Sequence, residues 1–291
     1  MGAPPPAGAM KTLEERFGPL TYDLLSDRRG SRVWKITTGS GAMALKADDP
    51  DSGNAHNKAA ELEQENRCLL RLGEAGAIDQ GYRIDSGRSD DGRWLAVRWI
   101  DGVPLWRAFS VARGPECDRP SVRPWLLGIA RTWARRLARL HAAGWAHADV
   151  QPTNALVTSA GTTEIIDYAL ACGPDSTARL PYRGALTHTT APEIADAVLS
   201  TDDGTHIQAA PAADIWSLGA SLFWCWTGHR PVVYEDGADR REKLRAITEG
   251  NLLGIKAARP WHFPEFEQLI TSCMAADPDA RPAAADVVEE C

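Results

Sequence analysis

Apolar and polar residues alternate with a period of two in short runs between residues 20 and 100. Residues 21–25, 31–37 and 42–47 read as strands, with Gly39-Ser40-Gly41 as a hairpin turn. In the third run Ala44 and Lys46 share one face, and Met43 and Leu45 share the other. Residues 54–72 then follow a helical period. Leu62, Glu65, Leu69 and Leu72 form one stripe, and Gly73 closes it. Residues 82–84 and 94–100 read as further strands, with Asp90-Asp91-Gly92 turning between them. The pattern breaks at Asp101-Gly102, and from about Leu105 the chain becomes helical. The repeat Ile129, Trp133, Leu137, Leu140 marks one helix that stops near Gly144. Two short apolar runs, 155–157 and 164–166, follow as strands joined by Ser159-Ala160-Gly161. A segment apolar on all sides begins at Asp214, which predicts a buried helix whose acid caps it or is engaged by neighbouring chain.

Composition narrows this picture. With 291 residues, 44% hydrophobic and 24% charged, the chain suffices for one large domain or a two-lobed one, with a sizeable core. Its net charge of -7 argues against non-specific attachment to nucleic acid or anionic membrane. The six cysteines show no paired metal-ligand spacing and are expected as free thiols of a reducing cytoplasm. Residues 1–12 are rich in Pro, Ala and Gly, lack the apolar core of a secretory signal, and are expected to be a disordered tail.

Two clusters carry candidate chemistry. The loop after the 129–140 helix holds His147, Asp149, Gln151 and Asn154, and Asp167 follows the second short strand. Asp and Asn favour turns for local hydrogen-bonding reasons, which is the plain reading. Three metal- or proton-handling side chains so close together give the functional one. Glu65, lying on a core-facing stripe, needs a cation, because a buried unpaired charge is strongly unfavourable. Lys46 is its natural partner.

Taken in order, these landmarks resemble the protein kinase fold over residues 21–288. Ala44-Leu45-Lys46 is similar to the strand-three lysine motif, Glu65 to its helix partner, and residues 98–101 to the hinge. The stretch 147–154 resembles the catalytic loop, and Asp167-Tyr168-Ala169 the metal-binding triplet. Ala191-Pro192-Glu193 resembles the end of the activation segment, and residues 214–219 the following buried helix. These last two motifs separate the chain from aminoglycoside-type small-molecule kinases.

The resemblance implies an α+β, bilobal protein kinase-like fold. A small antiparallel-sheet N-lobe with one main helix spans residues 13–101, and a mostly helical C-lobe spans 102–291. It implies an ATP- and Mg²⁺-dependent phosphotransferase acting on a Ser/Thr hydroxyl of a protein or peptide, including a specialised peptide-modifying or biosynthetic kinase. Lys46, held by Glu65, would grip the ATP phosphates, and Asn154 and Asp167 would hold Mg²⁺. Asp149 would orient the acceptor hydroxyl and take its proton. Val33, Ala44 and Leu156 would sandwich the adenine, and the backbone of Arg98 and Ile100 would read its edge. Leu69, His147 and Tyr168 would join the hydrophobic column of the family. A protein or peptide is the implied partner, with no nucleic acid and no membrane; the oligomeric state is left open.

The departures point elsewhere. The three glycine positions of the phosphate loop carry Ser26, Arg28 and Ser31, so Arg28, Arg29 or Ser31 would have to bind phosphate by side chain. Gln151 replaces a lysine, Ala148 replaces an arginine and Ala169 a glycine, and the peptide-docking stretch 184–190 is atypical. Two alternatives therefore stand beside the active protein kinase: a pseudokinase binding module and a small-molecule hydroxyl kinase.

Overall fold

In the computed structural model, which describes residues 3–28, 30–52, 55–89, 92–174 and 180–290, the alternating runs pair into one antiparallel sheet. The chain divides into two compact units, Met1–Ile100 and Asp101–Cys291.

The first unit opens with helix α1 (Ala7–Phe17), followed by β1 (Thr21–Arg28), β2 (Ser31–Thr38) and β3 (Gly41–Asp48). Helix α2 (Ala55–Glu74), β4 (Arg83–Ser89) and β5 (Gly92–Arg98) complete it, in the sheet order β1-β2-β3-β5-β4. The turn residues Asp90 and Asp91, and Asn54 at the expected helix start, lie outside the described residues. Gly73 does not end α2. The helix runs one residue past it and closes at Gly76, which takes the positive φ of 68° that glycine tolerates best.

The expected disordered tail over 1–12 is corrected by α1. Pro6 pre-sets the entry to the helix, and Ala9 and Leu13, one turn apart, are fully buried against Trp34, Ile36, Met43, Leu45, Trp94 and Ala96. The Trp34 indole N–H donates to the carbonyl of Ala3 at 2.9 Å. The composition that suggested disorder instead lets the helix lie close to the sheet, since small residues keep the backbones near each other. A Cβ added at Gly8 would stand 2.6 Å from the Cβ of Ser89. Gly8→Val is therefore expected to destabilise the protein by about 1–3 kcal/mol through overpacking. Denaturant unfolding measures this; an unchanged midpoint would mean that α1 tolerates being lifted off the sheet.

The second unit starts with β6 (Gly102–Pro104) and α3 (Leu105–Ala108), then α4 (Val122–Ala142). Strands β7 (Ala155–Thr158) and β8 (Thr163–Ile165) pair with β6 in the order β6-β7-β8. The three-residue β6 has too few positions for a period to show, and no sequence signal marked it. Helices α5 (Pro192–Ser200), α6 (Pro211–Thr227), α7 (Arg240–Thr248), α8 (Ile255–Ala258), α9 (Pro264–Cys273) and α10 (Ala284–Glu290) follow.

Helix α6 is the centre of this unit, with Trp216, Leu218, Leu222, Cys225 and Trp226 all fully buried. At Gly219 an added Cβ would stand 2.7 Å from the Cβ of Cys273, so the glycine permits the close crossing of α9. Five cysteines are buried and outside any disulfide among the described residues. No helix among those residues is long and apolar enough to cross a membrane.

Candidate active site

In the first unit, strand alternation decides where the lysine points. Met43, Leu45 and Ala47 are buried on the face that meets α1, which leaves Ala44 and Lys46 on the other. The stripe Leu62, Glu65, Leu69, Leu72 is buried throughout, and Glu65 is only 2% exposed. Lys46 Nζ donates to both Glu65 carboxylate oxygens, at 2.7 and 2.8 Å. The lone acid on the stripe and the lone cation on the strand thus neutralise each other. Val33 stands directly opposite Lys46 across the β2–β3 ladder, so it shares that face. Arg98 closes β5; its N–H donates to the carbonyl of Tyr82 at 2.7 Å and its guanidinium pairs with Asp79. Ile100 lies two residues past the strand, outside both ladders.

In the second unit, α4 delivers the chain at Gly144 into a loop whose backbone is unusual. Ala148 and Asp167 are the two described non-glycine residues with positive φ, 62° and 67°. Such conformations cost about 1–3 kcal/mol and persist only where neighbours hold them. At Ala148 the holders are visible. Its N–H donates to Asp214 Oδ1 at 2.8 Å, and its carbonyl accepts from the Tyr182 hydroxyl at 2.9 Å. Asp214 Oδ2 also accepts from the His147 N–H at 2.7 Å and lies 3.0 Å from His141 Nε2. Asp214 therefore caps nothing: α6 already begins at Pro211, and the carboxylate grips the loop instead.

His147 is completely buried, its ring tilted edge-on to Tyr168 at 5.1 Å between centroids. Burial lowers its pKa against the opposing pull of Asp214 and Asp167, so the ring is neutral. Its Nδ1 accepts the backbone N–H of Asp149 at 3.3 Å.

The result of this scaffolding is a fixed Asp149. Its Oδ1 accepts from Gln151 Nε2 and its Oδ2 from Asn154 Nδ2, both at 2.7 Å. Burial raises its pKa to about 7, helped by the nearby charge of Asp167, while the bonds from Asn154 and Gln151 hold it down. Because Asn154 commits its Nδ2 to Asp149, the carbonyl Oδ1 is the side-chain atom left to bind a cation. Leu156 follows on β7, opposite Glu164. Asp167 and the Asn154 amide oxygen, beside the second carboxylate of Asp149 and with no sulfur or imidazole donor, form an oxygen set that suits a hard cation such as Mg²⁺. The mutual repulsion of the carboxylates is relieved by a cation there. The set therefore fits the metal that the resemblance implies.

The segment beyond Asp167 is tied down without added charge. Residues 175–179, which include Ser176, Thr177 and Arg179, lie outside the described residues. Arg183 donates to the carbonyls of Val198 and Thr201, each at 2.8 Å, and to the Thr201 hydroxyl, so it satisfies the C-terminal end of α5. Thr189 and Thr190 are buried, and both hydroxyls donate to the Leu186 carbonyl at 3.1 Å. Glu193, in the first turn of α5, accepts a bidentate pair from Arg281 at 2.7 and 2.9 Å.

A model of the protein kinase domain matches residues 84–290. The chain belongs to the protein kinase domain family. The kinase match begins in β4, so β1–β3 and α2 lie before it. The chain is 28% identical over 283 residues to the probable serine/threonine-protein kinase PkwA of Thermomonospora curvata, covering 94% of this chain and 34% of that protein. It is 25% identical over 239 residues to the serine/threonine-protein kinase PknL of Mycobacterium tuberculosis, covering 82% and 55%. It is 28% identical over 228 residues to serine/threonine-protein kinase 16 of Mus musculus, covering 74% and 67%. The chain thus spans about a third of the length of the Thermomonospora protein.

Residues that sequence reading missed are the ones that hold the loop. His141 and Tyr182 carry no motif; Asp214 is expected to cap its helix or engage neighbouring chain, but nothing in the sequence says that the 147–148 backbone is what it engages. Their common signal is distance: the bonds to the loop cross 66, 67 and 34 residues.

Proposed function

We propose that this kinase transfers the γ-phosphate of ATP, with Mg²⁺, to a Ser/Thr hydroxyl of a protein or peptide. The observation that carries the reading is Asp149. It is clamped between Gln151 and Asn154 with its pKa raised to about 7, where a carboxylate becomes a competent proton acceptor at neutral pH. In this reading Asp149 orients the acceptor hydroxyl and takes its proton, and Gln151 fixes one carboxylate oxygen. Asn154 and Asp167 hold Mg²⁺, which when bound neutralises charge on the transferred phosphoryl group. Lys46, steadied by Glu65, binds the nucleotide phosphates. Val33, Ala44 and Leu156 contact the adenine, and the backbone of Arg98 and Ile100 reads its edge.

Within this reading the acceptor sits in a specialised peptide or biosynthetic intermediate. Gln151 in place of the usual lysine and the atypical 184–190 stretch support that. A nucleotide-holding module without turnover is the second reading, favoured by Ser26, Arg28 and Ser31 at the glycine positions. Incubation with labelled ATP, Mg²⁺ and a peptide pool, beside an Asp149→Ala control, separates the two. Label transfer that survives Asp149→Ala would refute the assignment of the base.

Activity is also expected without phosphorylation of the activation segment. A phosphate there would need a cationic partner to order the loop. The position before Asp149 is Ala148, and Arg183 is engaged by α5. Thr189 and Thr190 are buried and already bonded. Phosphatase-treated enzyme, and variants lacking Ser176, Thr177 and Thr187, should keep turnover within about threefold of wild type, well short of the 10²-fold or more expected if an essential group were lost. A collapse on dephosphorylation that ATP pre-incubation restores would show a different phosphate anchor.

A further inference from the structure

The hairpin β1–β2 is paired to its very tip. Its register runs from Thr21↔Thr37 to Arg28↔Ser31, and Gly30 takes a φ of 79°; Arg29 lies outside the described residues. One irregularity interrupts it, between Leu24 and Ser26. In a paired ladder the backbone N–H groups lie in the plane of the sheet. An anion cradle built from backbone needs successive N–H groups converging out of that plane. A paired hairpin therefore supplies little backbone to a polyphosphate, and side chains must replace it.

Cross-strand partners share a face, so the register says which side chains these are. Val33 pairs with Lys46 on one side and with Ser26 on the other. Ser31 and Arg28 lie two residues further along the same strands, and hence on the same face as Lys46. Arg32 and Asp27 alternate onto the opposite face, where Arg32 is held by Asp27 at 3.2 Å and Asp49 at 2.7 Å. Lys35, on the face of Lys46, has its Nζ over the Trp99 ring at 4.7 Å. Arg28 differs from both: it is exposed and, among the described residues, has no carboxylate in ion-pair range. Two strands over and two residues along from Lys46, its Cα is about 12 Å away by ordinary strand spacing, so two long cationic side chains flank one stretch of open sheet.

We infer that Arg28 is a nucleotide-binding residue of this protein, its guanidinium gripping the ATP phosphates in place of a glycine-lined backbone. The inference rests on the nucleotide reading above. A guanidinium presents a fork of donors that matches phosphate oxygens in pairs, whereas the Lys46 ammonium acts as a point charge already steadied by Glu65. The two cations divide the polyphosphate between them. The side-chain grip also explains how the strands stay closed where the family has glycine.

Titration calorimetry with Mg-ATP and with adenosine tests this on the full chain. Arg28→Ala should weaken Mg-ATP binding at least about tenfold, as expected for the loss of charge-assisted hydrogen bonds. Adenosine binding should stay within about twofold, because that ligand carries no phosphate. Arg28→Lys should fall between wild type and Arg28→Ala. Arg32→Ala, which removes an equal charge from the opposite face, should change Mg-ATP affinity by less than about threefold, and this separates a local grip from a general field. Melting curves verify that each variant is folded. Wild-type affinity for Mg-ATP in a folded Arg28→Ala, or an equal loss in Arg32→Ala, overturns the inference while leaving the nucleotide reading intact. A wild-type protein that binds neither ligand overturns the nucleotide reading itself, and this inference with it.

Discussion

Replacing Asp149 by asparagine is expected to lower phosphoryl transfer by about 10²–10⁴-fold, the range for loss of a positioned general base, with little effect on Mg²⁺-dependent nucleotide binding. Asp167→Asn is expected to do the opposite first: metal-dependent binding weakens sharply, and turnover falls because the metal is lost. The two carboxylates sit in one electrostatic environment, since the charge of Asp167 contributes to the raised pKa of Asp149. They differ in what holds them. Both Asp149 oxygens accept side-chain amides, from Gln151 and Asn154, and an NH₂ introduced in Asp149→Asn would face one of those donors. The damage should stay within the loop, because the loop backbone is gripped separately by Asp214. Calorimetry with Mg-ATP, run beside rate measurements, reads both quantities. Equal losses of binding in the two variants would mean that both aspartates serve the metal and that the base lies elsewhere.

The second large effect is on stability. Glu193→Ala and Arg281→Ala are each expected to cost about 3–5 kcal/mol, the usual penalty for breaking a buried pair, and to lower Tm by about 6 °C or more. The Arg281 side chain is wholly buried and Glu193 is 32% exposed. Removing the glutamate strands a guanidinium with only the carbonyls of Ala212, Ala275 and Ala276 for partners. Removing the arginine takes one donor from each of those carbonyls while Glu193 can turn to water. Glu193→Gln keeps one acceptor and should fall between wild type and Glu193→Ala. The double change Glu193→Ala, Arg281→Met should recover part of the loss, because no lone charge then stays buried. A double variant as unstable as the sum of the single ones would locate the energy in packing and not in the ion pair.

The ends of α5 show how one segment becomes rigid with neither phosphate nor disulfide. Its first turn is tied through Glu193 to Arg281 beside the last helix, and its final carbonyls are bound by Arg183. Both anchors are arginines whose forked donors satisfy several acceptors at once. Their work at α5 is what makes them unavailable for a regulatory phosphate.

Much of this molecule is legible in the order of its residues, because local physics speaks there. A period of two marks β2 and β3, since alternate side chains meet the core. A period of 3.6 marks α2 and α4. A single glutamate on an apolar stripe announces that a cation must meet it, and Lys46 does. Helix α1 is not legible in the sequence, because Pro, Ala and Gly describe both a tail with nothing to bury and a helix pressed close against a sheet. Only the presence of Trp34 and Ser89 beneath it distinguishes the two. The same holds for the loop around Asp149. Its residue types stand in the sequence, but the positive φ of Ala148 depends on Asp214 and Tyr182, 66 and 34 residues away. The roles of the arginines follow the same rule. Arg183, Arg32 and Arg28 read alike in a sequence, as exposed cations near loops. Folding joins Arg183 to the end of a helix and Arg32 to two aspartates, and leaves Arg28 on the face of Lys46. A side chain's partners are set by which segments the whole chain brings together, and no local period carries that information.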